Sequence, residues 1–195
     1  MQNHQEEIHI KINKDEHFST PIWHVKEELP SGAYEWALEV QRNIPSTQKS
    51  NVGGYQSESL LDWTPMKYSD HILKLLKFLP KFYLANWWIN INKKGNYNDY
   101  HSHPNSDLAC VWYITDNFGS IDFKNPLEFE RHNLLMNMGK LGNIKYTCTA
   151  GDLLIFPSDL IHRVKPHRED TLRISVSFNL VLSGGKTDLG IAYFS

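Results

Sequence analysis

Alternation of apolar and polar positions divides the chain into a mixed first part and a β-rich second part. Near the start, Ile8-His-Ile-Lys-Ile-Asn13 and Thr20-Pro-Ile-Trp-His-Val25 carry the two-residue period of strands. A helix is expected after Ser31, its proposed cap, with Trp36, Ala37, Val40 and Ile44 on one face. A second is expected from about Ser69, capped by Ser69 or Asp70, bearing Ile72, Leu73, Leu76 and Leu79 and stopped by Pro80. The intervening Ser50-Asn-Val-Gly-Gly-Tyr-Gln-Ser57 reads as a loop because of its paired glycines.

From Phe82 onward short β runs alternate with turn residues: Trp87–Asn92, Leu108–Ile114, Ser120–Lys124, Leu153–Phe156 and Leu172–Asn179. The last run separates its residues completely. Arg173, Ser175, Ser177 and Asn179 fall on one face, and Ile174, Val176, Phe178 and Leu180 on the other. The polar face either meets solvent, as in most half-buried strands, or lines a site.

Composition narrows the setting. A chain of 195 residues with 41% apolar residues, six Trp, nine Tyr and nine Phe can bury one sizeable core. We expect one domain over 1–195, with 1–81 as a mixed α/β elaboration and 82–195 as the β core. A net charge of -2 and a pI near 6.5 leave no electrostatic footprint for nucleic acid. Two cysteines, Cys110 and Cys148, make no disulfide framework. No stretch has the length of a membrane span and the start lacks the pattern of a signal peptide, so a cytoplasmic protein is expected.

Chemistry concentrates in a few of the ten histidines. His101 and His103 stand two apart in Asp99-Tyr-His-Ser-His-Pro-Asn105, a spacing that turns both rings to one face of an extended segment. His162 follows Phe156-Pro-Ser-Asp-Leu-Ile, and Arg173 comes eleven positions later, with Ser175 two beyond. Imidazole suits iron, zinc, copper and nickel alike. Guanidinium presents a planar donor fork that matches a carboxylate, and a neighbouring hydroxyl adds another hydrogen bond. This spacing is similar to that of non-haem iron oxygenases that use 2-oxoglutarate.

The common facial triad has a carboxylate where this chain has His103. Two ligand sets therefore stand open: His101, His103 and His162 alone, or the same three with Asp107 as a reserve metal ligand. The second resembles cupins, with Gly95 six residues before His101, Asp107 four after His103, and Gly151 through Pro157 to His162 as the second box. Both resemblances, to the oxygenases and to cupins, imply a double-stranded β-helix, a cupin-like jelly-roll in a mainly β chain, and the two N-terminal helices are expected on its outer face.

A closer resemblance rests on Phe18-Ser-Thr-Pro-Ile-Trp23, Ser50–Ser57, Trp88-Ile-Asn-Ile-Asn92, His101-Ser-His-Pro-Asn-Ser106, Gly151–Ser158 and Arg173-Ile-Ser-Val-Ser-Phe-Asn179. These segments resemble a family of 2-oxoglutarate- and iron(II)-dependent oxygenases of marine bacteria and their phages. The resemblance implies a dioxygenase that hydroxylates an unidentified small-molecule or peptide substrate and releases succinate and carbon dioxide. It implies Fe(II) held by His101, His103 and His162, and 2-oxoglutarate held by Arg173 and Ser175, with Asn90, Asn92 and Tyr113 as further candidates. It disfavours Asp107, whose position is apolar in that family. Two other readings remain at this level: a cupin-type metalloenzyme that ignores 2-oxoglutarate, and a metal-free binding β-barrel. Assembly is open, with a homodimer among the options. Substrate choice is expected in the loops at Phe118–Asn125 and Arg131–Lys145 and in the tail from Gly184.

Overall fold

The structure, a computed structural model, describes residues 20–61, 64–117, 119–126 and 143–183. The alternating run at Ile8–Asn13 and the tail from Gly184 lie outside them, as do Phe118 and most of Arg131–Lys145. In chain order the elements are β1 (Trp23–Lys26), α1 (Ala33–Asn43), β2 (Asn51–Val52), β3 (Tyr55–Gln56), α2 (Met66–Leu75), β4 (Phe82–Asn92), β5 (Tyr97–His101), β6 (Leu108–Tyr113), β7 (Ile121–Phe123), β8 (Ile144–Tyr146), β9 (Asp152–Pro157), β10 (His162–Val164) and β11 (Arg173–Leu182).

Two antiparallel sheets face each other, a six-stranded one ordered β1-β9-β6-β11-β4-β3 and a five-stranded one ordered β2-β5-β10-β7-β8. From β4 to β7, and again from β8 to β11, each strand crosses to the opposite sheet. That winding is a jelly-roll, the double-stranded β-helix expected from Phe82 onward.

Period-2 patterning decides what each face does. The outward face of the six-stranded sheet presents Ile174, Val176, Phe178 and Leu180 of β11, with Trp87, Ile89 and Ile91 of β4 and Leu108, Cys110 and Trp112 of β6. These form one apolar cluster with Trp36, Ala37 and Val40 of α1 and Tyr68, Ile72 and Leu75 of α2. Trp36 stacks on Tyr68 at 4.6 Å, His71 lies 5.5 Å from Trp112, and Trp87 stacks on its cross-strand partner Phe178 at 5.1 Å. A smaller cluster, with Val111, Phe123, Leu154 and Phe156, fills part of the space between the sheets.

Local readings need three corrections. The first helix is capped by Gly32 at φ 77, not by Ser31, and no side chain caps it. The second begins at Met66 behind Pro65 rather than at Ser69, and it ends at Leu75, ahead of Pro80. Proline fits there because its fixed φ suits a helix entry and a first-turn N–H needs no partner. Leu73 is exposed, off the buried face. The presumed loop at Ser50–Ser57 contains two short strands that join different sheets: β2 pairs with β5, and β3 with β4.

One turn has little freedom. Gly151 sits at φ +89, and a Cβ there would meet the Glu27 carbonyl oxygen at 2.1 Å, so only glycine passes between β1 and β9. Asp152 beside it accepts from the Thr149 N–H and is paired with His24 and Lys26. Among the described residues no helix is long and apolar enough to cross a membrane.

Candidate metal centre

His101 closes β5 and His162 opens β10, and antiparallel pairing sets them directly opposite each other. His103 lies two residues beyond β5, in a turn held from both sides. Its N–H donates to the Ser158 carbonyl at 2.7 Å, Ser106 Oγ donates to the His103 carbonyl at 2.9 Å, and Ser158 Oγ donates to the Ser106 carbonyl. Asn105 takes a positive φ of 70 within this turn, a conformation that asparagine tolerates better than most residues.

The three rings converge. One nitrogen from each lies within 4.8 Å of the others. His101 Nδ1 is 2.7 Å from the Asp99 carbonyl and His162 Nδ1 is 2.8 Å from the Leu160 carbonyl. A carbonyl only accepts, so each Nδ1 carries the proton and each Nε2 presents a lone pair. His162 Nε2 in turn lies 3.3 Å from His103 Nε2. Trp88 stacks on His103 at 5.5 Å, and Phe156 and Phe123 enclose His162 at 4.8 and 5.8 Å.

Charge state agrees with that geometry. Burial, reinforced by the His101 ring, pushes His162 down to about 3, and burial with His101 and Lys49 pushes His103 down to about 4. His101 is lowered as well, mainly by burial. All three are neutral near pH 7, the form that binds a cation. Asp107 does not join them. Its Oδ2 accepts the Leu182 N–H at 2.8 Å and its backbone holds Leu180 and Ser158, so it ties the end of β11 to the His103 turn.

A cavity of about 370 Å³ opens beside the histidines, within the range of small-molecule sites. The polar faces of β11 and β4 form one wall. The site face of the alternation, not the solvent face, is the one realised: Arg173, Ser177 and Asn179 are buried and Ser175 is half-buried. Cross-strand register brings the sequence-predicted residues onto adjacent rungs. Ser175 lies between Asn90 and Tyr113, and Arg173 lies opposite Asn92 one rung on. Asn90 Nδ2 donates to Ser177 Oγ at 3.0 Å, and burial pushes the Tyr113 hydroxyl well above the usual phenol range.

Arg173 is 2% exposed, and among the described residues no carboxylate pairs with it. Its guanidinium donates to the Lys165 carbonyl at 2.8 Å and the Asn96 carbonyl at 3.3 Å, and burial lowers it to about 10. A buried cation without a counter-ion is costly. The chain thus fits both groups that its fold implies: neutral convergent nitrogens for a divalent metal, and an uncompensated guanidinium for an anion.

Gln56, Asn86, Trp88 and Lys49 also line the cavity and were not read as site residues. Trp88 and Asn86 share the inward period of Asn90 and Asn92, a signal the sequence did carry. Gln56 lay in the segment taken for a loop.

A jelly-roll with three histidines facing an arginine across one cavity is the build of a non-haem metal oxygenase. Comparisons agree. Residues 86–179 match a family model described as "Putative 2OG-Fe(II) oxygenase". HygX from Streptomyces hygroscopicus, solved with nickel, 2-oxoglutarate and hygromycin B, is 13% identical over 90% of this chain and 92% of its own, with a TM-score of 0.62. The epimerase SnoN, solved with Fe3+, alpha ketoglutarate and nogalamycin RO, is 12% identical over 90% and 92%, with a TM-score of 0.65. A prolyl hydroxylase from Trichoplax adhaerens, in complex with a hypoxia inducible factor peptide fragment, is 13% identical over 82% and 83%, with a TM-score of 0.59. No curated protein matches the chain by sequence. At such identities the solved structures speak for the fold, and the matched stretch, which holds all three histidines and Arg173, speaks for descent. Residues 86–179 carry the likeness to the 2OG-Fe(II) oxygenases, non-haem enzymes that depend on iron(II) and 2-oxoglutarate.

Proposed function

We propose that His101, His103 and His162 form an all-histidine iron(II) site and that Arg173, with Ser175, Asn90 and Tyr113, binds 2-oxoglutarate. The observation that carries this reading is the pair of unmet demands on opposite sides of one cavity. The Nε2 atoms of His103 and His162 stand 3.3 Å apart, close enough for one ion to take both, and the buried guanidinium pairs with no carboxylate among the described residues.

With both groups and dioxygen bound, the site supplies an oxidant able to hydroxylate a C–H bond, with succinate and carbon dioxide as coproducts. The protein's own part is to position and to exclude water. The Asp99 and Leu160 carbonyls fix two imidazoles in the ligating tautomer. Arg173 supplies the donor fork for the distal carboxylate, and Ser175 a hydroxyl on the same face. Trp88, Phe156 and Phe123 keep the histidine side of the cavity apolar.

The substrate is a small molecule or a single side chain of a peptide, in keeping with the cavity's size. The reading extends to one domain over 1–195 with 1–81 as its elaboration, a cytoplasmic home, no nucleic-acid partner, and a homodimer as the assembly to test by light scattering. Asp107, engaged with Leu182, is left out of the ligand set. Metal analysis after anaerobic iron loading tests the whole: about one iron per chain in the parent, and near zero in His162→Ala. Failure of the parent to take up metal supports a metal-free barrel instead. Metal uptake with no thermal response to 2-oxoglutarate supports a cupin-type enzyme.

A further inference from the structure

Beyond the histidines, at the end of the cavity away from Arg173, the wall is made of carboxamides. Asn86 and Asn179 are direct cross-strand partners, two rungs from Asn90 and Ser175, and Gln56 reaches the cavity from β3. A β-bulge falls between Asn179 and Leu180, where the register slips past Ala85. Bulges of this kind re-aim side chains and gather next to active sites.

None of these three carboxamides makes a side-chain hydrogen bond among the described residues. The amide oxygens of Gln56, Asn86 and Asn179 are each buried without a partner. Gln56 and Asn179 are only 3% and 5% exposed. Buried polar groups are normally paired, because an unmet one destabilises the fold, so a cluster of unmet amides is there for something outside the chain.

The charges around the cavity select among ligands. Among the described residues no aspartate or glutamate lines it, so an ammonium or guanidinium substrate finds no counter-ion there. Arg173 lies at the other end, and Lys49, the only other lysine or arginine of the lining among the described residues, is exposed to solvent, where its pull on an anion is screened. What remains is an uncharged surface. Each carboxamide offers both donor and acceptor, the pattern that neighbouring hydroxyls complement, and the Trp88 indole next along β4, stacked by one face on His103, lines the cavity and adds apolar surface for a ring.

We infer that the substrate is a neutral, hydroxyl-rich small molecule, a polyol or sugar ring, held by Asn86, Asn179 and Gln56 against Trp88. This rests on the oxygenase reading, since it places the substrate next to the metal. Ligand-observed NMR on the full chain loaded with nickel(II) and 2-oxoglutarate tests it, with myo-inositol and methyl glucoside as neutral probes, spermidine as cationic and citrate as anionic.

The expected result is binding of a neutral probe alone. In Asn86→Leu/Asn179→Leu that binding weakens by about tenfold or more, while the melting temperature holds or rises and 2-oxoglutarate affinity is kept. A gain or hold in stability distinguishes a ligand-binding role from a structural one, because a structural amide would be missed by the fold. Preference for spermidine or citrate overturns the inference. So does the absence of neutral-probe binding in a protein that still takes up metal and 2-oxoglutarate, or a double variant that fails to fold. If the parent takes up neither metal nor 2-oxoglutarate, the oxygenase reading fails first and this one falls with it.

Discussion

Replacing Arg173 by methionine separates a cosubstrate anchor from a structural arginine. In the free protein the guanidinium is 2% exposed and held at about 10 instead of 12.5, mainly by burial. That difference corresponds to roughly 3 kcal/mol against the charged form. The sign is fixed across any usable pH: the group is charged throughout below about 10, so the penalty is constant there and is relieved only on the alkaline side. Methionine removes it at similar volume. Against this, the Lys165 carbonyl loses its 2.8 Å donor, a loss of about 1–3 kcal/mol. The Asn96 carbonyl still accepts the His167 N–H and is not orphaned. The two effects nearly cancel or leave a small gain, so the free variant should melt within a few degrees of the parent or slightly higher. Cosubstrate binding responds differently. Losing a buried charge-assisted fork is worth about 2–5 kcal/mol, or roughly 30-fold and more in Kd. Thermal unfolding with and without 2-oxoglutarate, followed by calorimetric titration of the metal-loaded protein, measures both. A variant that melts more than about 5 °C lower yet binds 2-oxoglutarate as before would show that Arg173 is structural, and the reasoning would be wrong.

Other substitutions probe separate parts of the chain. His101→Ala is expected to lose metal by elemental analysis, whereas Asp107→Ala keeps it and loses about 1 kcal/mol in urea unfolding, the worth of the bond to Leu182. Gly151→Ala should lose about 3 kcal/mol or more, since positive φ and the Glu27 carbonyl act together; an unchanged urea midpoint would refute the close approach. Burial works to raise Asp152, but the Thr149, His24 and Lys26 bonds hold its carboxyl below the usual range. Its stabilisation is present above the unfolded-state value near 3.9 and fades as pH falls through the lower folded value. Asp152→Asn should therefore flatten the loss of stability between pH 7 and 3, and an unaltered slope would count against the assignment.

Much of this was legible in the chain because strand faces repeat every two residues. The polar positions of β11 and the apolar ones beneath the helices follow directly from Arg173–Leu180, and the histidine spacing singles out the pair, although only His101 lies on β5 and the turn beyond it brings His103 round. The strands β8 and β10 are three residues long, and unlike β7, whose flanks extend the alternation over Ser120–Lys124, they show no period of their own. The start of α2 was missed because Ser69 and Asp70 are better caps in isolation than Pro65, and only the packing of Tyr68 against Trp36 and Trp112 shows that the helix has already begun. Asp107 illustrates a different limit. Its spacing permits a ligand, and its actual partner, Leu182, lies 75 residues away, a contact that no local pattern announces.

The apolar residues that α1 and α2 share with the six-stranded sheet lie outside the barrel, while the cavity-lining residues of β4 and β11, Arg173 among them, stand within it on the opposite faces of the same strands. Stability and chemistry are thus written on alternate residues. A mutation at an inward position of β4 or β11 need not disturb the packing that keeps the protein folded. Such a scaffold can trade one substrate for another in single steps without passing through an unfolded ancestor.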